Sequence, residues 1–164
     1  MSLDSKPAYS GGCQCGAVRF RVEGAMKSVS VCHCRMCQKA FGAFYAPLAT
    51  PVEGVTWTRG EPKRFRSSSI ALRGFCAECG TPLTFETPNS VALAIGAFDD
   101  PGEVAPRAQW GIEAKIGYVD DLPDLPAHRT EDDPEVAADL PGLRSFQHPD
   151  HDTDDWPQRP EGLS

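Results

Sequence analysis

The sequence predicts a mainly β domain built from many short strands. Short segments of strand composition recur between turns rich in glycine and proline, and no long stretch shows the 3.6-residue periodicity of a helix. The chain has 164 residues, among them 15 glycines and 15 prolines. This length is enough for one ordinary domain and too short for two comfortable ones.

The first clear strand is expected at residues 18–22, where apolar side chains alternate with charged ones. A second strand is expected at 28–31, so that the two pair as a hairpin through residues 24–27. Residues 35–41 predict a short helical turn. Further segments of strand length are 43–49, 55–58, 63–67, 70–75, 83–86 and 91–95, with edge strands at 104–110 and 111–119.

Charge divides the chain unevenly. Residues 120–164 carry 13 of the 23 acidic residues, 3 of the 16 lysines and arginines, and seven of the 15 prolines, so residues 1–119 carry a net charge of +3. This composition predicts a leader at 1–8, a folded domain at 9–126 and an acidic, irregular C-terminal tail at 127–164. A mildly basic domain in an acidic chain argues against nucleic-acid binding and suits a small anionic ligand.

No segment has the length of apolar sequence that a membrane helix requires, and residues 1–10 lack the apolar centre of a secretory signal. We therefore expect no membrane partner and a cytoplasmic location. The sequence makes no prediction of the oligomeric state.

Seven cysteines are the strongest chemical signal in the chain, in the spacings C-x-C, C-x-C-x-x-C and C-x-x-C. An odd number cannot be paired completely into disulfides, and a reducing compartment would keep the thiols free. Thiols at these spacings can share a tetrahedral Zn²⁺ ion. An iron–sulfur cluster is the alternative metal group, but the spacings match neither ferredoxin pattern.

Residues 75–82 are typical of a zinc knuckle, in which Gly80 allows the turn to adopt a positive φ. This knuckle supplies two ligands, and either of the other cysteine groups could supply two more. The middle group already has three sulfurs, so it can form a site unaided. We therefore favour a closed cluster of four thiols and an open cluster of three over the exchanged arrangement. The closed cluster is Cys13, Cys15, Cys76 and Cys79, and the open cluster is Cys32, Cys34 and Cys37. A closed site is structural, whereas an open one leaves a position for water or substrate.

Three segments resemble the glutathione-dependent formaldehyde-activating enzyme family: residues 11–20, 32–39 and 73–83. Their order and spacing match, and the likeness extends over residues 9–126. The resemblance implies an Mss4-like β fold with two zinc ions, a structural one on the closed cluster and a catalytic one on the open cluster. It also implies carbon–sulfur lyase chemistry, which joins formaldehyde to glutathione. The same domain occurs in a centromere-associated protein.

The chain departs from the family near the end of the matched region. Members often carry a histidine followed by an apolar residue, and later a tryptophan, where this sequence has Gln109, Trp110 and Tyr118. Residues 120–126 again resemble the family.

Several polar residues are candidates for a role beside the clusters. Arg35 and Lys39 are spaced to share one face of a helical turn, where they would contact the carboxylates of an anionic thiol such as glutathione; the alternative is solvated surface charge. His33 is a candidate proton shuttle, or an ordinary loop histidine pointing away from the metal. Gln14 either donates to a sulfur or faces solvent. The tail histidines, among them His148, are expected to be exposed.

The favoured hypothesis is an enzyme in which a thiol is activated at the open cluster and adds to a small aldehyde. The alternative is a non-catalytic, zinc-binding interaction module with two structural sites, which predicts a fourth protein ligand at the open cluster. A methionine sulfoxide reductase is the third hypothesis. That chemistry needs a nucleophilic cysteine outside the zinc sites, and all seven cysteines have ligand-like spacings.

Overall fold

The computed structural model of the protein describes residues 7–155. In this range the prediction of a mainly β fold is confirmed, because short strands form a seven-stranded and a three-stranded sheet. The strands are β1 (Ala8–Gly12), β2 (Arg19–Glu23), β3 (Met26–Cys32), β4 (Ala46–Pro51), β5 (Thr56–Arg59), β6 (Lys63–Arg66), β7 (Leu72–Phe75), β8 (Pro82–Thr87), β9 (Ser90–Ala94) and β10 (Ala108–Trp110).

The small sheet has the order β1-β2-β5 and the large one β10-β3-β4-β9-β8-β7-β6. Neighbouring strands are antiparallel, except that β10 runs parallel to β3. The expected hairpin of β2 with β3 is wrong. Strand β2 pairs with β1 and β5, whereas β3 pairs with β4 and β10, so the chain changes sheets at the turn between β2 and β3.

The main core lies between the two sheets. Its largest fully buried side chains include Phe20 and Val22 from the small sheet and Leu83 and Leu93 from the large one. The ring of Phe20 packs edge-on against Phe98 with a centroid distance of 5.2 Å. The alternation of apolar residues in β2 therefore predicts its buried face correctly, because Phe20 and Val22 both lie in this core.

Helix α1 (Arg35–Phe41) confirms the predicted helical turn and ends at Gly42, whose φ of 60° is left-handed. The edge strand expected at 111–119 is wrong, because that segment forms 3₁₀ turns at Ile112–Ala114 and Gly117–Asp124. Gly111 has a φ of 65°, which ends the extended backbone of β10. A second helix, α2 (Pro134–Asp139), lies in the C-terminal region. None of the helices in the described range is long and apolar enough to cross a membrane.

The end of the described chain returns to the domain, so the expected exposure of His148 is wrong. The His148 side chain is 3 % exposed, and its backbone N–H donates to the Gln14 carbonyl across 2.7 Å. An ion pair between Arg19 and Asp152 also holds this C-terminal segment against the domain. Arg19 is buried between the carboxylates of Asp99 and Asp152, at 2.6 Å and 2.7 Å from its Nη2.

Candidate metal centres

The seven thiols form two groups, and within each group the sulfur atoms all lie within 4.8 Å of one another. These two groups are the ones favoured from the sequence. The four thiols of the closed cluster lie in one group and the three of the open cluster in the other. Each group has the donor set and spacing to hold one metal ion. Within residues 7–155, no histidine, aspartate, glutamate or further cysteine joins the open cluster.

Two similar loops build the closed cluster. In the first, the Cys13 N–H donates to the Val18 carbonyl and the Gly16 N–H to the Cys13 carbonyl. In the second, the Cys76 N–H and the Gly80 N–H make the corresponding bonds, to Thr81 and Cys76. Both glycines have a φ of +80°, so each loop curls around its sulfurs at a position where other residues would be strained.

The sulfurs of the closed cluster are in mutual contact. The Sγ atoms of Cys13 and Cys15 are 3.6 Å apart, and those of Cys15 and Cys76 are 3.8 Å apart. The Val18 N–H donates to Cys13 Sγ across 3.3 Å. Burial raises the pKa of Cys76 to about 11. Burial also opposes ionisation of Cys79, but hydrogen bonds from Thr81 outweigh it and lower that pKa to about 6. A cation between these sulfurs would favour the thiolate at every position.

The open cluster is assembled where β3 meets α1. Cys32 ends β3, Cys34 occupies the N-cap of α1, and Cys37 lies on the buried face of that helix. Burial opposes ionisation of Cys34, but backbone N–H groups of Cys37 and Met36 donate to its sulfur and lower its pKa. Cys37 is 3 % exposed, whereas Cys32 and Cys34 are half-buried. The cluster therefore has a dry side and a side within reach of solvent.

The segment after β10 closes over one flank of this cluster. The His33 N–H donates to the Trp110 carbonyl across 2.8 Å. The buried amide of Gln38 donates to the carbonyls of His33 and Ala114, at 2.7 Å and 3.0 Å. Gly111 packs so closely that a Cβ there would lie 2.8 Å from the Cys34 nitrogen. The sequence gives no sign of these roles of Gln38 and Gly111, because the contacts Gln38–Ala114 and Gly111–Cys34 join segments that are distant in sequence.

A buried arginine contacts the dry side. Arg73, on β7, is 3 % exposed and donates from Nη2 to Cys37 Sγ across 3.3 Å. Its Nε donates to Ser67 Oγ at 2.9 Å, and its guanidinium carbon lies 4.9 Å from the centre of the Phe85 ring. Burial raises the pKa of Cys37 to about 12, against the opposing effect of Arg73. Arg73 lies in a motif of the family resemblance, but its contact with Cys37 depends on sheet pairing that the motif does not encode.

His33 is buried, with 1 % of its surface exposed, and it is not a member of the sulfur group. Its Nε2 donates to Gln109 Oε1 across 2.9 Å, since an amide oxygen only accepts. Its ring packs edge-on against Tyr45, with centroids 5.7 Å apart. Gln109 therefore fixes the orientation of the His33 ring.

Arg35 and Lys39 are both exposed on α1. They line one groove of about 330 Å³, whose remaining lining includes Met36, Phe65 and Ser67. Arg35 Nη1 also donates to Gln38 Oε1 at 3.0 Å. Gln14, by contrast, is exposed and contacts the rest of the domain through its backbone, as its N–H donates to Thr81 Oγ1.

The sequence model of the family described as glutathione-dependent formaldehyde-activating enzyme matches residues 8–113. The chain therefore belongs to this family, as the three cysteine motifs predict. The match contains every residue of both clusters and the whole of the large sheet.

Individual proteins similar to the chain include a curated relative and a solved structure. One, from Schizosaccharomyces pombe, is named as an uncharacterized lyase and is 32 % identical over 90 residues, which are 51 % of this chain and 61 % of the relative. The match thus spans less than two thirds of that relative. The other is a crystal structure of a Rhodobacter sphaeroides protein, with 21 % identity and a TM-score of 0.49, covering 61 % of this chain and 98 % of that chain.

Proposed function

We propose that the protein is a zinc-dependent carbon–sulfur lyase that joins a small thiol, glutathione or a similar molecule, to a small aldehyde such as formaldehyde. The observation that carries the proposal is the open cluster. It has three thiols within 4.8 Å and, among residues 7–155, no fourth protein ligand. A tetrahedral ion held there would keep one position for an exogenous ligand. The interaction-module hypothesis, which requires a saturated second site, has no such support.

The residues present fit zinc at both clusters. The donors are all thiols, the sulfurs are in contact or nearly so, and backbone or side-chain N–H groups donate to Cys13, Cys34 and Cys37. In this proposal the closed cluster has a structural role, and Cys32, Cys34 and Cys37 hold a catalytic ion. Zinc bound by the open cluster would supply a positive charge that lowers the pKa of a thiol, which is normally about 8.5.

The reaction forms a C–S bond and an O–H bond, and it breaks the S–H bond and the π bond of the carbonyl. The thiol gives up its proton to solvent water, and its sulfur attacks the carbonyl carbon of the aldehyde. The π-electron pair of the carbonyl moves to oxygen, which takes a proton from water. One thiol and one aldehyde give one hemithioacetal without any oxidation or reduction.

The surroundings of the open cluster suit these roles. Gln38 and Gly111 hold the Cys34 loop against the segment after β10, which keeps the half-buried sulfurs in a defined arrangement. Arg35 and Lys39 stand on the helix that carries Cys37 and present two positive charges at one groove. We propose that they bind the carboxylates of an anionic thiol. Met36 and Phe65 supply the apolar lining for its uncharged part.

The test is the rate of adduct formation from glutathione and ¹³C-formaldehyde, measured by NMR exchange spectroscopy against the spontaneous reaction. Zinc-loaded protein is expected to accelerate the exchange. Cys34→Ser is expected to abolish the acceleration while one zinc ion stays in the closed cluster. Full acceleration by Cys34→Ser with an unchanged zinc content would refute the proposed role of the open cluster.

A further inference from the structure

Two buried side-chain atoms in residues 7–155 have no hydrogen-bond partner, His33 Nδ1 and Arg73 Nη1. Both side chains adjoin the open cluster. His33 donates from Nε2, so its Nδ1 presents only a lone pair in the neutral ring. Arg73 Nη1, in contrast, carries N–H donors that nothing accepts. Buried donors are almost always satisfied, so this one requires an explanation.

Among the described residues, no carboxylate balances the positive charge of Arg73 either. Within the described part of the chain no aspartate or glutamate forms an ion pair with it, although its side chain is 3 % exposed. A guanidinium stays protonated in proteins, and an unpaired buried charge is strongly unfavourable. The group within hydrogen-bond distance is the sulfur of Cys37, at 3.3 Å, which becomes anionic when the cluster binds a cation.

Three thiolates and one divalent cation together carry a charge of −1, which Arg73 neutralises. A fourth anionic sulfur, brought by a substrate, would raise the charge of the thiolates and the cation to −2. In a dry environment such a charge is costly, and a cation a few ångströms away reduces the cost. Ser67 and Phe85 hold the guanidinium in place, so its remaining N–H groups keep one orientation.

We propose that Arg73 is a positioning residue of the open cluster. Its Nη2 holds the Cys37 sulfur toward the other two, and its charge, with the unsatisfied Nη1, favours the arrival of a fourth, anionic sulfur from a thiol substrate. This inference rests on the proposed function. It adds a residue that selects for thiolate ligands and that does not itself line the groove of Arg35 and Lys39.

The experiment measures thiol binding rather than turnover. Wild type, Arg73→Met, Arg73→Lys and the control Arg66→Met are loaded with Co²⁺, and glutathione or 2-mercaptoethanol is titrated while the sulfur-to-cobalt absorption is followed. Arg66 lies on the neighbouring strand β6 and is exposed, so its loss removes a positive charge without removing the contact to Cys37. Unfolding in urea is measured for each variant in parallel.

Arg73→Met is expected to weaken the binding of both thiols by roughly 10- to 100-fold, the range of a hydrogen bond to a charged group. Arg73→Lys should recover most of this loss, because the charge is retained, and Arg66→Met should bind as wild type does. A purely structural role would lower the stability of the Met and Lys variants alike without this recovery. Should Arg73→Met not fold, Ser67→Ala releases the guanidinium without removing it. Because Ser67 also lines the groove, the readout is then 2-mercaptoethanol, which has no carboxylate, and its binding should weaken by about 3-fold.

Thiol binding by Arg73→Met as tight as that of wild type would overturn the inference, and so would a lysine variant as weak as the methionine one. If Arg73→Met does not fold, unchanged binding by Ser67→Ala would overturn it as well. Wild-type protein that binds two metal ions but no thiol would refute the proposed function itself. That result is distinguishable, because it is obtained before any variant is compared.

Discussion

His148 lies directly against Gly16, although the two residues come from opposite ends of the chain. A Cβ at Gly16 would stand 2.2 Å from Cδ2 of the histidine ring, and the glycine φ of +80° is itself unfavourable for other residues. Gly16 belongs to the first loop of the closed cluster. The C-terminal segment therefore packs on the loop that carries Cys13 and Cys15.

Gly16→Ala should lower the free energy of unfolding for both reasons. The left-handed backbone alone costs a non-glycine residue about 1–3 kcal/mol, and the contact with His148 adds to it. Urea unfolding is the measurement. Gly142→Ala is the matched control, since a Cβ there meets no atom within 4 Å and the φ is ordinary. Equal stability of the two variants would mean that the His148 contact and the loop geometry do not matter.

Acidification should loosen the C-terminal segment through His148. Burial and the charges of Arg19 and Arg59 lower its pKa from the ordinary value of 6.5. Its Nδ1 donates to the Pro149 carbonyl, so Nε2 accepts from Arg59, and protonation would place two positive groups together. A lowered pKa means that the stabilisation is complete above pH 6.5 and is lost as the pH falls through the folded-state value.

The measurement compares wild type and His148→Gln in urea at pH 7.5 and pH 5.5. Wild type should lose more stability than the variant on acidification, while His128→Gln, which alters an exposed histidine, should behave as wild type does. The quantity compared is the loss of stability of each variant relative to that of wild type, because protonation of the thiols changes the stability of all these proteins equally. Asp99 adds a second loss at lower pH. Burial opposes its ionisation, but hydrogen bonds from Arg19 and Ser10 leave its pKa below 3.8. Equal pH dependence of wild type and His148→Gln would contradict the account.

Gly111→Ala should impair the open cluster selectively. The new methyl group would meet the backbone nitrogen of Cys34 at 2.8 Å, where the glycine φ is 65°. The Cys34 loop must then shift, so that the open cluster loses zinc at a lower chelator concentration. Zinc per chain under increasing chelator is the measurement, with Gly117→Ala as the control in open space. Loss of zinc from both clusters together would show a general effect on folding instead.

Arg35→Gln and Lys39→Gln should raise the KM for glutathione by about 2- to 5-fold each, the usual range for an exposed ion pair. The kcat should change little, and the KM for the uncharged 2-mercaptoethanol should stay constant. Lys27→Gln removes an exposed lysine on another element and serves as the control. An equal effect on both thiols would argue against a carboxylate-binding role.

Local spacing predicted the two clusters well. Each short run of cysteines lies on one loop or at the start of one helix, where the geometry of its sulfurs depends on a few neighbouring residues. Arg73 reaches Cys37 only because β7 lies in the same sheet as β8, β9, β4 and β3, in a register that no motif reports. The contacts of Gln38 with Ala114 and of Gly111 with Cys34 similarly depend on the parallel pairing of β10 with β3. Such long-range contacts have no signature in a single sequence.

The C-terminal region shows a different limit. Sparse apolar residues and many acids predict an irregular tail, whose described part also contains the short helix α2, but they give no sign that residues 147–153 pack against the domain. That packing depends on Arg19, which pairs with Asp152, on Arg59, which donates to Thr153, and on a backbone bond to Gln14. Hydrophobic patterning does not detect a segment that is held by polar contacts.

The open cluster is tested by measuring zinc per chain before and after mild chelation, with and without glutathione. We expect two zinc ions in wild type, of which one is labile and is protected by glutathione. In Cys34→Ser the protected ion should be absent while the tight one remains. Two equally tight ions with no effect of glutathione would contradict an open, thiol-binding site.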